Sequence, residues 1–486
     1  MDYPCADSVV ARYDQLAGDA GNGALDQQTW DDLLLGSYLE ALAGPASLSG
    51  RQMLYRRLRR GHAREAVAQR VRALLADAAL RQRLQTQCRP LREASADVSA
   101  ALFAEAGADS PLPAPPRWAG WILALPLAFL ASVLACAWSM QALVPALLLS
   151  LALMALQIAF HTRMLNWAPV AQALQLQLYV HSTQPDAPGA ALAAQLRGKL
   201  ARPAMSQVPG VGEYADWVMQ ANLRHYFATR RLVREHAAFL RQSFELVAGL
   251  EADLALADHL AAQPHWCWAE EGWEQEIQLR AVRHPLLADA QALDLELDGT
   301  SAFVSGQNGV GKSTLLRTVG LNLLAARAFG FCYALAARVP NLPVHASMQN
   351  EDALEGGESL YQSELRRAHE LLERAGQVQR AVYIIDEIFR GTNHLESVSA
   401  SAAVLEALAV NGTVLVSSHN VVLARLLEGT CLPLLVQRRG ERLVLTPGVL
   451  SETNGLTLLA QSGFDPAIEQ RAREVYKRLT GRLLAV

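Results

Sequence analysis

The sequence predicts a C-terminal α/β domain joined to an all-α region that is interrupted by a two-helix apolar hairpin. Three observations predict it. First, AFVSGQNGVGKST (302–314) is a short apolar run that turns through a glycine-rich loop into a helix beginning near Ser313. Second, AVYIIDE (381–387) is a continuous apolar run closed by two acids, the pattern of a buried parallel strand. Third, no charged residue occurs from Trp118 to Phe160. A single bilayer crossing takes about 20 apolar residues, so this run accommodates two crossings and a tight turn.

The glycine-rich loop carries the most specific chemistry. Gly306 to Ser313 fits G-x-x-x-x-G-K-[ST]. Gly306, Gly309 and Gly311 let the backbone curl so that successive N–H groups, Asn308 among them, point at a phosphate chain. Lys312 is expected at the β/γ-phosphates, the Ser313 hydroxyl on Mg²⁺, and Thr314 beside it at the positive end of the following helix. The expected ligand is a nucleoside triphosphate, ATP, with Mg²⁺.

At 486 residues, half of them apolar, the chain is long enough for about three domains. A net charge of −4 neither requires nor excludes nucleic acid. Six cysteines, at 5, 88, 136, 267, 332 and 431, show no CxxC spacing and read as reduced thiols rather than a zinc site. The N-terminus lacks the basic-then-apolar pattern of a signal peptide.

In chain order, residues 1–110 read as helical, with Leu33, Leu34, Tyr38 and Leu42 at helical spacing. Arg56, Arg57, Arg59 and Arg60 make a dense basic cluster, suited to phosphates of DNA or lipid and equally to a solvated helix face. A Pro-rich linker, 111–117, leads to the hairpin at 118–160, with crossings near Trp118–Trp138 and Ala142–Phe160. Trp118, Trp121 and Trp138 sit near its ends, where indoles favour the interface. Arg117 and Arg163 flank it, so the positive-inside rule places both flanks in the cytoplasm. The expectation is a multi-pass protein of the cytoplasmic (inner) membrane with its ATPase domain in the cytoplasm. Residues 161–262 read as long lever-like helices, and 263–450 as α/β. Within the latter, ALDLELDGTSAFVSG (292–306) reads as a hairpin feeding the phosphate loop. Residues 451–486 read as a closing helical segment.

The acids after AVYII have distinct expected roles. Asp386 would bind Mg²⁺, directly or through water, and Glu387 would orient and deprotonate the attacking water. VLVSSH (414–419) is another buried strand, placing His419 where it could sense the γ-phosphate. Gln349 could link nucleotide state to the helical arms. GGESLYQSEL (356–365) opens a helix carrying Glu364, and the Ser359 hydroxyl at its start suits an anion, including one held by a neighbouring subunit.

With these residues in view, the chain resembles the MutS family of DNA mismatch-repair ATPases, whose members share the ABC-type P-loop ATPase fold. GQNGVGKST resembles the family's GPNMGGKST, with Gln307 and Val310 as the departures. SMQNEDALEGGESLYQSEL resembles the stretch containing G-x-S-T-F-x-x-E, matched by Gly357, Ser359, Tyr361 and Glu364. DEIFRGTN (386–393) resembles DEIGRGTS, VSSHN resembles ATHY, and RHPLL (283–287) and residues 455–474 resemble the segments bounding the family's ATPase domain. A fainter likeness covers 45–90.

The resemblance implies ATP hydrolysis, a homodimer in which Ser359 of one subunit completes the site of the other, and engagement of DNA. The family's mismatch-binding domain, with its Phe-x-Glu wedge, has no counterpart before the core-like helices; Phe103-Ala104-Glu105 fits it by letters alone. A different reading is an ATP-driven clamp that acts on protein or membrane partners without DNA.

Overall fold

The computed structural model describes residues 25–61, 64–94, 96–103, 115–202, 208, 210–348, 360–377, 380–439, 442–450 and 465–483. Among the elements that matter here, the first is the short helix α1 (Gln27–Asp32), capped by Asp26, whose carboxylate accepts from the Thr29 N–H at 2.8 Å. The all-α part contains α2 (Ala124–Ala135), α3 (Leu143–Ser182) and α4 (Ala221–Glu235). Beyond residue 262 strands and helices alternate. Two compact units result: 42–56 with 70–259, and 25–41 with 57–69 and 260–483. Residues 25–41 and 57–69, expected in a helical region spanning 1–110, therefore fold with the α/β part.

In the helical unit, α2 and α3 form the apolar hairpin. Both stretches, Trp118–Ala135 and Met140–Ser182, are long and apolar enough to cross a membrane by length and composition. Little of their surface is covered: Trp138 is 85 % exposed and Leu147 63 %. The helix expected to end at Phe160 continues to Ser182, 40 residues in all, so the boundary at 160–161 falls inside α3. Protein cover along α3 is marked by Gln157. Its amide donates to the Asn222 Oδ1 at 2.9 Å and its oxygen accepts from Asn222 Nδ2 at 3.1 Å, so this buried polar group is satisfied.

Among the described residues the α/β unit holds three sheets, the smallest a two-stranded antiparallel pair of Cys267–Trp268 with Phe331–Cys332. Of the two larger ones, strands β1 (Glu276–Val282), β2 (Leu293–Asp298) and β4 (Ala336–Val339) join the two-residue strand Glu270–Glu271 in one, β1 lying between β2 and β4. The other has the order β9-β8-β3-β7-β6-β5, with β3 (Ser301–Gly306), β5 (Val344–Ser347), β6 (Ala381–Asp386), β7 (Gly412–Ser417), β8 (Cys431–Arg439) and β9 (Arg442–Pro447). All its pairs are parallel except β8 with β9.

This overturns the hairpin expected at 292–306, because β2 pairs with β1 and β3 with β7 and β8. Burial explains the separation. LDLELD alternates buried and exposed, as in a one-faced antiparallel strand, whereas every residue of SAFVSG is buried, as in a central parallel one.

Helix α5 (Lys312–Phe329) packs on the large sheet, with 15 of its 18 residues buried. Helices α6 (Leu360–Gln377) and α7 (His394–Val410) share a core with Phe303, Tyr383, Ile385, Val414 and Val416 through Leu371, Leu405 and Leu408. Each fully buried leucine or phenylalanine of that core contributes about 1.5–3 kcal/mol relative to exposure.

The edge strand β5 is covered by α1. The Ala346 N–H donates to Thr29 Oγ1 at 2.9 Å and the Met348 N–H to Asp32 Oδ2 at 2.8 Å, so the edge presents no open ladder there. Burial pushes the Asp32 carboxyl up to about 6, against the Met348 bond and the charges of Arg367 and Arg317. A carboxyl raised in the folded state stabilises below its unfolded value, and that contribution is lost as pH rises through about 6. Asp32→Asn keeps an acceptor for Met348 without a charge. It is therefore expected to stabilise the protein at pH 8, by up to about 3 kcal/mol, and to give little at about pH 3.5. Thermal melts at the two pH values check this; equal gains at both would remove the titration account.

Candidate functional site

Three adjacent parallel strands, β3, β7 and β6, deliver the sequence-predicted residues to one end of the large sheet. After β3 the chain enters a loop in which Gly309 and Gly311 have φ of +75° and +108°. Side-chain-bearing residues rarely adopt that region, so both positions need glycine. Gly311 is also the N-cap of α5, so the loop passes directly into the helix and turns its free N–H groups toward the loop. Asn308 and Gly309 are exposed, Ser313 is half-buried at the first turn, and Thr314 is exposed, its carbonyl taken by the Thr318 hydroxyl at 2.7 Å.

Lys312 is buried and its ammonium curls back over the loop. It donates to the carbonyls of Gly306 at 3.1 Å and Gln307 at 3.3 Å, and lies 3.1 Å from His419 Nε2. Burial lowers its pKa, opposed by Glu387 and Asp386.

Register sets the acids. Ser417, last in β7, pairs with Asp386, last in β6, and its hydroxyl donates to Asp386 Oδ1. Glu387 then leaves the strand with φ +54°, its N–H donating to the Ser417 carbonyl at 2.9 Å. Phe389 repeats the left-handed conformation at φ +55°. Two non-glycine residues held so close together in this region are stored strain, sustained by the buried strand on one side and the Phe389 ring, fully buried, on the other.

The result is a polar cluster around Glu387. His419 Nε2 lies 3.5 Å from Glu387 Oε1, and Arg390 Nε lies 3.7 Å from Glu387 and 3.5 Å from Glu364. Burial and the Lys312 charge lower the His419 pKa, against Glu387 and Asp386, so its imidazole is neutral at pH 7.

Helix α6 also touches this loop. The Gly391 N–H donates to Glu364 Oε2 at 3.2 Å, and a Cβ on Gly391 would stand 2.6 Å from the Tyr361 nitrogen, a closeness that only glycine allows. Arg390 and Ser417 are the contributors that motif reading passed over. Ser417 was legible in principle, since it precedes His419 by two in the same strand-ending motif. Arg390 was not, because its partner Glu364 is 26 residues away on another element.

Lys312, Asp386, Glu387, His419 and the loop glycines thus converge, while Gln349 and Ser359 lie outside the described residues. Donor chemistry fits a phosphate chain with a hard divalent cation: backbone N–H groups and an ammonium for the anion, hydroxyl and carboxylate oxygens for the metal.

Residues 302–480 match the family model described as MutS domain V. The protein described as DNA mismatch repair protein MutS from Thermus thermophilus is 28% identical over 268 residues, covering 53% of this chain and 32% of the relative. Those so described from Synechococcus sp. (strain CC9311) and Anaeromyxobacter sp. (strain Fw109-5) are each 29% identical, over 51% of this chain and 29% and 31% of their own lengths. The chain thus spans about a third of the length of the relatives it matches. Through the domain V match and these relatives, the chain is similar to the MutS family over its C-terminal part.

Proposed function

We propose that this chain is a membrane-anchored MutS-like ATPase of the ABC-type P-loop class, working as a homodimer and engaging DNA. One observation carries the reading: Lys312, Asp386, Glu387 and His419 gather at the same end of three neighbouring parallel strands, where ligands of open α/β sheets sit. Gly306, Asn308, Gly309 and Gly311 supply the backbone cradle, Lys312 the cation at the β/γ-phosphates, Ser313 and Asp386 the Mg²⁺ ligands, and Thr314 a position at the helix start. Magnesium bound there would neutralise charge on the phosphates. Glu387 holds the attacking water and accepts its proton, while neutral His419 marks the γ-phosphate end. Gln349 and Ser359, the latter reaching the partner's nucleotide, complete the assignment by family resemblance.

The exposed hairpin supports anchoring, since so much uncovered apolar surface is rare on a soluble monomer. The same feature favours a second reading, an ATP-driven clamp on protein or membrane partners with no DNA role. Equilibrium binding of ATP to the detergent-solubilised protein tests the core of both. Wild type is expected to bind in a magnesium-dependent way, and Lys312→Ala to bind at least tenfold more weakly, about the loss of one charge-assisted hydrogen bond. Equal affinity in the two would refute the assignment. Duplex DNA retained by the same preparation at low salt separates the first reading from the second.

A further inference from the structure

Two cavities in the helical unit share Arg163, Tyr226 and Arg230 as walls. One, about 320 Å³, is bounded by Trp118, Phe160 and Phe227; the other, about 470 Å³, extends to Asp97 and Trp167. Both fall within the roughly 300–1,000 Å³ of small-molecule sites.

The aromatic wall is a single packed cluster. Trp118 lies 5.7 Å from Phe160 and 5.6 Å from Phe227 between ring centroids, and Phe160 lies 5.4 Å from Phe227. The guanidinium of Arg163 stands 5.3 Å over Phe160, and that of Arg230 stands 5.2 Å from Tyr226 and 5.7 Å from Trp167. Arg230 also donates from Nη1 to the Tyr226 hydroxyl. The ring contact of Arg163 engages the flat face of its guanidinium, whose N–H donors lie in the plane, matched to phosphate oxygens. Asp97 also lines the larger cavity. Its Oδ1 accepts from Gln52 Nε2 at 3.0 Å, the Ser99 N–H at 2.9 Å and the Ser99 hydroxyl at 2.7 Å.

Position supplies the second half of the argument. The hairpin's uncovered apolar surface starts at these cavities: Trp121 is 75 % exposed, three residues past Trp118, and Ile158 is 67 % exposed, two before Phe160. Arginines and indoles gathered where an apolar surface ends have the composition of a bilayer interface.

We propose that the paired cavities bind the headgroup of an anionic phospholipid, with Arg163 at its phosphate and Trp118 and Phe160 along its first acyl carbons. This rests on the membrane reading of the hairpin given above.

The test reconstitutes the full chain into phosphatidylcholine vesicles containing a minor share of phosphatidylglycerol. Flotation is measured, and the lipids retained after mild detergent extraction are counted by native mass spectrometry. Wild type is expected to float and to retain phosphatidylglycerol in preference to phosphatidylcholine, by about fivefold. Arg163→Glu, at an exposed position that carries no core packing, is expected to float equally and lose the preference. Flotation without any preference, or a preference that survives Arg163→Glu, overturns the lipid site and leaves the anchor standing. Displacement of the retained phosphatidylglycerol by excess inorganic phosphate reassigns the cavity to free phosphate, and displacement by duplex DNA reassigns it to nucleic acid; either overturns the proposal. Failure to float overturns the anchor and the lipid site together.

Discussion

Glu387→Gln is expected to keep magnesium-dependent ATP binding and to lower hydrolysis by at least about 100-fold, the usual contribution of a positioned general base. The substitution preserves size and one hydrogen-bonding oxygen while removing the ability to take a proton. It also leaves the Glu387 N–H bond to the Ser417 carbonyl, 2.9 Å, untouched, so the strained turn after β6 keeps its anchor. Binding should be measured alongside turnover, because the lost carboxylate also neighbours His419 at 3.5 Å and Arg390 at 3.7 Å. Lost turnover with intact binding assigns proton transfer to Glu387. Surviving turnover would place the base elsewhere, and lost binding would make Glu387 a structural member of the polar cluster.

Arg367→Ala is expected to cost about 3–5 kcal/mol, the penalty for leaving a buried charge without its partner. Arg367 is 3 % exposed, and its guanidinium reaches Asp26 at 3.1 Å, the Thr29 hydroxyl at 3.1 Å and the Ala346 carbonyl. Burial alone would raise the Asp26 carboxyl; the bond with His345 at 3.2 Å and the Arg367 charge instead hold it well below the ordinary range. A carboxyl depressed in this way stabilises at pH values above its unfolded pKa and loses that contribution as pH falls through the folded one. The variant should therefore melt well below wild type near pH 7, with the gap closing in strong acid. Replacing both partners, Arg367→Met with Asp26→Ala, is expected to cost less than Arg367→Ala alone, since no unpaired charge remains. A double variant as unstable as the single one would show that the hydrogen bonds to Thr29 and Ala346, rather than the ion pair, dominate.

Both predictions concern the same neighbourhood from opposite sides. Met348, just past β5, and Arg367, in α6, are held by α1 through Asp32 and Asp26. The first turns of α6 then meet the loop after Glu387 through Glu364 and Tyr361. A helix near the N-terminus thus fixes the elements that lead toward the candidate site.

Much of that site was legible in the sequence. The spacing of the glycine-rich loop depends on glycines that permit positive φ and on a lysine at the start of a helix, and such needs are local. The apolar hairpin was legible because hydropathy over a long uncharged run needs no knowledge of neighbours. What the sequence by itself determined is the identity and local backbone of Gly306–Thr314, the acid pair closing β6, and the two apolar helices. Only the tertiary structure decided that β2 and β3 belong to different sheets, that Ser417 lies beside Asp386, that Arg390 bridges Glu364 and Glu387, and that residues 25–41 cover the edge of a sheet more than 300 positions away. Strand register and buried ion pairs are settled by which surfaces exclude water together, and that is a property of the packed chain rather than of any window along it.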